Sequence, residues 1–342
     1  MKPAWAIKAN GKDVTQTFKP FLLSIRVRDE SKDEADSLTI TLDNSGTALN
    51  PPTQGDELEI LLGYDGDLTS MGKFVVDKSK TSGPPDVLTI DCKSAAFAAP
   101  NDPNLSSWLT RKTRSWEPGT LGDIAKKVAA EHGVELVAPA DVLSSPVPHV
   151  DQTEESDTSL LYRLATPSGY VVKVADRKLI LVKRSNAGGV NLRTGKAIPA
   201  VTLARGDVST YSAEWMERAV FDKAVAGWHD PSTGQTNYET AGDGTREFRF
   251  KNLAPDQATA KQWAAAVLKQ SQGEGGKMSL TMPGRADLQS EQSVNCVGFP
   301  YPLSASPTKA AIAKRWVLKS VEHNISTAGF TTSVSGEPYI DQ

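Results

Sequence analysis

Cysteine, histidine, long apolar runs and a surplus of either charge are all scarce in this chain. Only two cysteines, Cys92 and Cys296, occur in 342 residues. They lie far apart in strand-like apolar settings, LTIDCKS and VNCVGF, and read as two small buried thiols of a protein in a reducing compartment. The four histidines, His132, His149, His229 and His323, show no paired spacing that sets two ligands on one helix face, so a zinc site would have to be gathered from distant pieces. The longest apolar stretches, such as LEILLGY, are strand-length and fall well short of the roughly 18 residues of a membrane-spanning helix. The N-terminal MKPAWAIKANGKD turns polar too early for a signal peptide, so no secretion signal is read and a soluble protein is expected. With 38 basic against 41 acidic residues, the chain has no electrostatic footprint of a nucleic-acid or anionic-membrane binder. Its partners are therefore expected to be proteins.

What the chain does have is length and short-period alternation. Its size exceeds one hydrophobic core, and two or three domains are expected. From Trp5 to Cys92 short alternating runs follow one another: AWAIKA, VTQTF, SIRVRD, SLTITLD, ELEILLGY, KFVVDK and VLTIDCK. In SLTITLD, Leu38, Ile40 and Leu42 point one way and Thr39 and Thr41 the other, as in a half-buried strand. Asn10-Gly11 suits a tight hairpin turn. After Pro100-Asn101-Asp102-Pro103, a plausible linker, the character changes. Thr120 precedes LGDIAKKVAAEHG as N-cap, with Asp123 in the capping-box position and Gly133 ending the helix. A second helix is expected over about 157 to 166, stopped by Pro167 and Gly169. GYVVKVA and RKLILVKR then form a hairpin turning at Asp176-Arg177. Strands return from Val201 onward, with a helix from about Pro255 to Gln272 whose face of Ala260, Trp263, Ala264, Val267 and Leu268 packs on an adjacent sheet. The fold class is mainly β with an α+β insert: 1–103 a first β domain, 104–200 a small middle domain, 201–342 a second β domain carrying the packed helix 255–272.

In HVDQTEESDTSLLYRLA, residues 149 to 165, Asp151, Glu154, Glu155 and Asp157 crowd ahead of an apolar run. A glycosidase needs two acids opposed across a sugar, and adjacent acids at a helix start give no such geometry. Ser156 or Asp157 caps the helix instead, the acids favour its positive end, and Leu160, Leu161 and Leu164 supply its buried face. GVNLRTGKA fails as a phosphate loop, because five residues separate Gly189 from Gly195 and Ala197 replaces the hydroxyl. DGDLTS at Asp65 lacks the turn glycine and distant Glu of a calcium loop. No GxSxG elbow appears. His132 reads as a helix-end residue favoured by the dipole. His323, in RWVLKSVEHNIS, is placed on the face opposite Val317 and with Val321, where packing or hydrogen bonding takes priority over catalysis. No catalytic, cofactor-binding or metal-binding residue is expected.

Two stretches are specific enough to carry a resemblance. HVDQTEESDTSLLYRLATPSGYVVKVADRKLILV is similar to the block of Q, ESD, L-x-RLA, GY and hairpin found in the phage late control protein D family. RWVLKSVEHNISTAGFTTSVSGE resembles that family's closing pattern of W, V-x-H and G-[FY]-x-T, and DSLTITLD at 36 to 43 its first-barrel strand. These are tail baseplate hub proteins of contractile-tailed phages and phage-tail-like bacteriocins, related to the head region of type VI secretion spike proteins. Thr158 and Ser159 stand where relatives often carry an aromatic. The resemblance implies two tail-tube-like β-barrels flanking the small middle domain. It also implies a non-enzymatic homotrimer that joins a six-fold tail tube to a three-fold central spike in the virion baseplate, assembled in the host cytoplasm. Tape-measure and other baseplate proteins are further expected partners; nucleic acid, membrane and cofactors are not. Nothing in the 342 residues matches a glycine-rich β-helix or lysozyme-like extension, so a hub without a fused spike or cell-wall enzyme is expected. The alternatives are a cell-wall hydrolase using the acids of 151–157 and a type VI-like spike component lacking its needle.

Overall fold

The computed structural model describes residues 2–31, 35–46, 49–94, 108, 110–183, 189–215, 221–274, 276–300, 302–303 and 315–339. The architecture is mainly β with an α+β insert, and its backbone is a single sheet of 13 strands that serves two hydrophobic cores.

Besides the two-residue strand Lys12–Asp13 at its edge, the sheet takes six strands from the N-terminal lobe, Pro3–Ala9, Leu22–Glu30, Ser37–Asp43, Glu57–Tyr64, Asp67–Ser82 and Val87–Ser94, and six from the C-terminal lobe, Val201–Ala204, Thr210–Trp215, Gly276–Pro283, Ser293–Val297, Arg315–Ser326 and Gly329–Tyr339. Within each lobe the strands lie in the same spatial order: second, third, sixth, fifth, fourth, first. Two lobes of one chain therefore share one topology. They differ at the first strand, which runs antiparallel to the fourth in the N-terminal lobe and parallel to it in the C-terminal lobe.

Alternation builds the cores. Leu38, Ile40 and Leu42 are buried together with Ile25, Val27, Leu58, Ile60 and Leu62 in the N-terminal lobe. Trp316, Leu318, Leu280, Met282 and Val334 fill the C-terminal one. The lobes are joined by backbone: Arg315–Ser326 continues past its own lobe and pairs with Leu22–Glu30, from Ser320 opposite Glu30 to Ser326 opposite Ser24. A bulge between Leu318 and Ser320 makes this crossing possible. An extra residue in one strand reverses which side chains face inward. Trp316 and Leu318 thus share a buried face with Val321, His323 and Ile325 despite their opposite parity, and Ile325 and Phe330 enter the N-terminal core.

The tight turn at Asn10-Gly11 forms, with φ of 48° and 80°. VTQTF, expected as a strand, is instead helical over Thr15–Phe18. The Asp13 carboxylate accepts the Thr15 N–H at 2.8 Å and the Val14 carbonyl accepts from Thr17 and Phe18, so local turn bonds override the β-branched composition. The linker expected at Pro100–Pro103 lies outside the described residues.

The middle of the chain forms a separate core around helices Leu121–Glu131 and Asp157–Ala165 and the sheet of Glu135–Val137, Lys178–Lys183 and Tyr170–Ala175. Thr120 and Asp123 make both bonds of the capping box, and Gly133 takes φ 63° just beyond the helix. The hairpin turns at Asp176 and Arg177, with φ of 48° and 60°. The late helix runs Gln257–Glu274, with the Asp256 carboxylate accepting the Thr259 N–H at its start. It packs Ala260 and Ala264 on Ala224 and Ala226 of a small sheet, Lys223–Asp230, Gln235–Gly242 and Glu247–Arg249, inserted between the second and third strands of the C-terminal lobe. From there Gln262 and Trp263 donate to the Ser168 carbonyl and hydroxyl at 3.0 and 3.2 Å, tying the insert to the middle domain.

Candidate functional site

The acidic stretch is not a bare helix start. Val150–Ser156 is a strand paired with Arg111–Trp116, with a register shift between Gln152 and Glu155 where Glu154 adopts φ 48°. Pairing puts Lys112, Arg114 and Trp116 on one face with Val150 and Gln152. The helix then begins at Asp157, capped by Ser156, whose hydroxyl accepts the Ser159 N–H at 3.3 Å. Leu160 and Leu161 are buried beneath it, while Leu164 is only half-buried.

The four carboxylates therefore have four different fates. Asp151 is exposed and accepts from the Ser115 hydroxyl at 2.6 Å, which lowers its pKa. Glu154 lies at the bulge beside Thr113. Glu155 forms a two-pronged pair with Arg163, at 3.0 and 2.6 Å. Asp157 is fully buried and receives Lys112 at 2.5 Å, Arg114 at 2.8 Å, His132 Nε2 at 2.8 Å and Gln152 at 2.9 Å. Burial alone would raise its pKa; donation from His132, Gln152 and Lys112 outweighs it and holds the carboxyl well below the usual range. Neither Asp151 nor Asp157 has the raised pKa of a general acid. His132 caps the helix C-terminus, as its position suggested, but its ring is buried, stacked on Trp108 at 3.8 Å and paired with Asp157.

A second buried cluster sits where three parts of the chain meet. Lys173, from the middle hairpin, is 2 % exposed and reaches Asp36 at 2.5 Å and Asp29 at 3.7 Å in the N-terminal lobe, with a further bond to the Glu30 carbonyl. Asp29 also accepts from the Ser290 N–H and hydroxyl of the C-terminal lobe at 3.0 and 2.7 Å, and Arg193 approaches it at 3.9 Å. Burial opposes charge on all of these groups. For Lys173, Asp36 and Asp29 outweigh it and the pKa rises. For Asp29, Arg193, Lys173 and Ser290 outweigh it and the pKa falls. For Asp36 burial prevails, helped by Asp29, and the pKa rises.

His323 lies beside this cluster. Its Nε2 faces the Leu288 carbonyl at 3.2 Å, and its Nδ1 faces the Thr332 hydroxyl at 3.0 Å. A carbonyl only accepts, so Nε2 carries the proton and Nδ1 accepts. Burial pushes the pKa down to about 4.

The other sequence candidates also resolve. In the loop 189–197 the Asn191 carboxamide accepts the N–H groups of Arg193 and Thr194 at 2.8 and 2.9 Å, occupying donors that a phosphate would need. Asp65-Gly66 is a hairpin turn with φ of 47° and 92°. Cys92 and Cys296 are buried free thiols, and burial pushes Cys296 up to about 12. Among the described residues, no three or more His, Cys, Asp or Glu side chains are grouped to hold a metal ion, and no helix is long and apolar enough to cross a membrane. Lys112, Arg114, Lys173, Asp29 and Ser290 carry no motif in the sequence, and Gln152 is marked there only as the Q of the family block. Three of them leave a trace: Asp29 continues the inward parity of Ile25 and Val27, Arg114 shares the parity of Trp116, and Lys173 interrupts the apolar run YVVKVA.

The model of the family described as phage tail baseplate hub (GPD) matches residues 105–329. A curated protein called "Probable baseplate hub protein" from Escherichia phage 186 is 27% identical over 381 residues, covering 98% of this chain and 93% of its own length. The 43 kDa tail protein of prophage MuSo2 from Shewanella oneidensis has a similar fold, with a TM-score of 0.68 at 16% identity, covering 99% of this chain and 100% of that one. A component of the type VI secretion system of E. coli aligns with a TM-score of 0.56 at 12% identity, over 97% of this chain and 76% of its own.

Replacing Asp157 by Asn is expected to destabilise the protein by about 3 kcal/mol, the low end for breaking a buried ion pair because Glu131 still holds Lys112 and Arg114; urea unfolding at neutral pH measures it. The His323 pKa is depressed in the folded state, so its neutral ring contributes fully above the free value of 6.5 and the contribution drains away as pH falls toward about 4. Over that window the parent should lose about 3 kcal/mol that a His323→Gln variant does not, read as the difference between their stability profiles.

Proposed function

The chain belongs to the phage tail baseplate hub (GPD) family, and from that premise we propose that three copies form an adaptor between a six-fold tail tube and a three-fold central spike. It is a structural baseplate hub protein located in the virion tail. The observation that carries the adaptor reading is the pair of lobes with one strand order, held to each other by a shared ladder. Three such chains present six like lobes, which reconciles the two symmetries. The division into 1–103, 104–200 and 201–342, with tube-like barrels at either end, belongs to the same proposal, as do contacts with tube, spike and tape-measure proteins and assembly in the host cytoplasm.

We also read the role as non-enzymatic. Supporting this, Glu155 is bound two-pronged to Arg163 and Asp157 is sealed beneath two cations. A peptidoglycan zymogram with the parent protein should stay uncleared; clearing that disappears in a Glu154→Gln, Glu155→Gln variant overturns this reading.

The adaptor is tested by mass in solution, measured for the chain alone and co-expressed with a central spike protein from the same genome. A trimer in either sample is the expected result, and a monomer in both overturns the proposal.

A further inference from the structure

We infer that the outer half of the strand Asp67–Ser82, residues 77–82, is a docking edge for Thr210–Trp215 of a second copy of this chain, reproducing between chains the junction found within one. The inference rests on the trimer reading above and supplies its contact.

Asp67–Ser82 and Arg315–Ser326 are the fifth strands of their lobes. Each pairs through its inner half with the fourth strand, Glu57 opposite Val75 in one and Ser293 opposite Val317 in the other. Each then carries a bulge against the sixth strand at the same place, between Val76 and Lys78 and between Leu318 and Ser320. Beyond the bulge they diverge. The outer half of Arg315–Ser326 is covered by Leu22–Glu30, a second strand. Residues 78–82 pair with Val87–Asp91 on one side, the other edge of 77–82 has no strand among the described residues, and every side chain from 77 to 82 is exposed.

The missing cover has a counterpart on the same molecule. Leu22–Glu30 is hydrogen-bonded along both edges, whereas among the described residues the second strand of the other lobe, Thr210–Trp215, pairs only with Gly276–Pro283. Thr210, Tyr211, Ser212 and Glu214 are exposed, and Tyr211 is 39 % accessible. Each chain thus keeps one free edge of each kind. Such a head-to-tail contact closes into a ring when its rotation allows.

The register can be transferred residue by residue. Val76, Cys92, Leu38 and Val27 lie in a row across one lobe, and Leu318, Gly336, Met278 and Ala213 across the other. Within the chain, His323 faces Val27 and Glu322 faces Arg28. The corresponding pairs between copies are Thr81 with Ala213, Lys80 with Glu214, and Ser82 with Ser212. Lys80 opposite Glu214 repeats, with signs exchanged, the Glu322 and Arg28 opposition of the internal junction, where Arg26 also stands 3.5 Å from Glu322. Opposite charges directly across an antiparallel pair favour that register over its slips.

The test uses the full chain carrying Ser82→Cys with Ser212→Cys and, separately, Thr81→Cys with Ala213→Cys, since adjacent pairs of an antiparallel ladder alternate in spacing. Oxidation followed by a non-reducing gel should give a covalent trimer in at least one of the two. Lys80→Glu should weaken each junction by roughly fivefold, and adding Glu214→Lys should restore it. A parent that is trimeric by mass but links through neither pair overturns the edge pairing and leaves the trimer standing. A covalent ladder running past three chains keeps the edge pairing and removes the three-fold reading. A monomeric parent without cross-links overturns both.

Discussion

The backbone ladder between Leu22–Glu30 and Arg315–Ser326 is the constraint on which the molecule depends. It makes two lobes into one sheet and fixes their relative position by main-chain hydrogen bonds rather than by a mobile linker. Registered strands with one face buried do not slide, because a slip of one residue turns the whole apolar set outward. Ile325 and Phe330 add side-chain insurance by filling the core of the lobe they were not encoded beside. The proposed adaptor, which has to present two like surfaces at a set angle, is served by this kind of rigidity.

The middle domain is secured to that frame by polar chemistry instead. Lys173, Asp29, Asp36, Arg193 and Ser290 bring together groups from the hairpin, both lobes and the loop 189–197. Burying such charges costs more than packing apolar side chains of similar size. In return they are satisfied only when all three parts are correctly seated, which favours one arrangement over near alternatives. The Asp157 cluster does the same within the middle domain, locking helix to strand through Lys112, Arg114 and His132.

Much of the fold could be read from the residues. Alternation placed Leu38, Ile40 and Leu42, the capping box placed Thr120 and Asp123, and turn residues placed Asn10-Gly11 and Asp176-Arg177. Thr15–Phe18 misled because β-branched threonines argue for a strand while the decisive bonds come from Asp13 and Val14. The acids of 151–157 were legible as structural, but not as a strand ending in a buried ion cluster, since Lys112 and Arg114 lie some 40 residues away in sequence. Long-range pairing of this kind leaves only a parity trace. The bulge at Leu318–Ser320 leaves even less, as it alters which face a residue occupies without changing composition.

Ser326 lies opposite Ser24, so the strand that completes the first lobe is made long after the edge that it covers, once most of the second lobe has been synthesised. During synthesis the N-terminal lobe waits on the ribosome with one edge open and without Ile325 and Phe330 in its core. Long-range strand pairing is slow and leaves sheet edges exposed until it occurs. Completion of the first lobe is thereby coupled to synthesis of the second, and a product truncated before Arg315 would leave the Leu22–Glu30 edge unclosed.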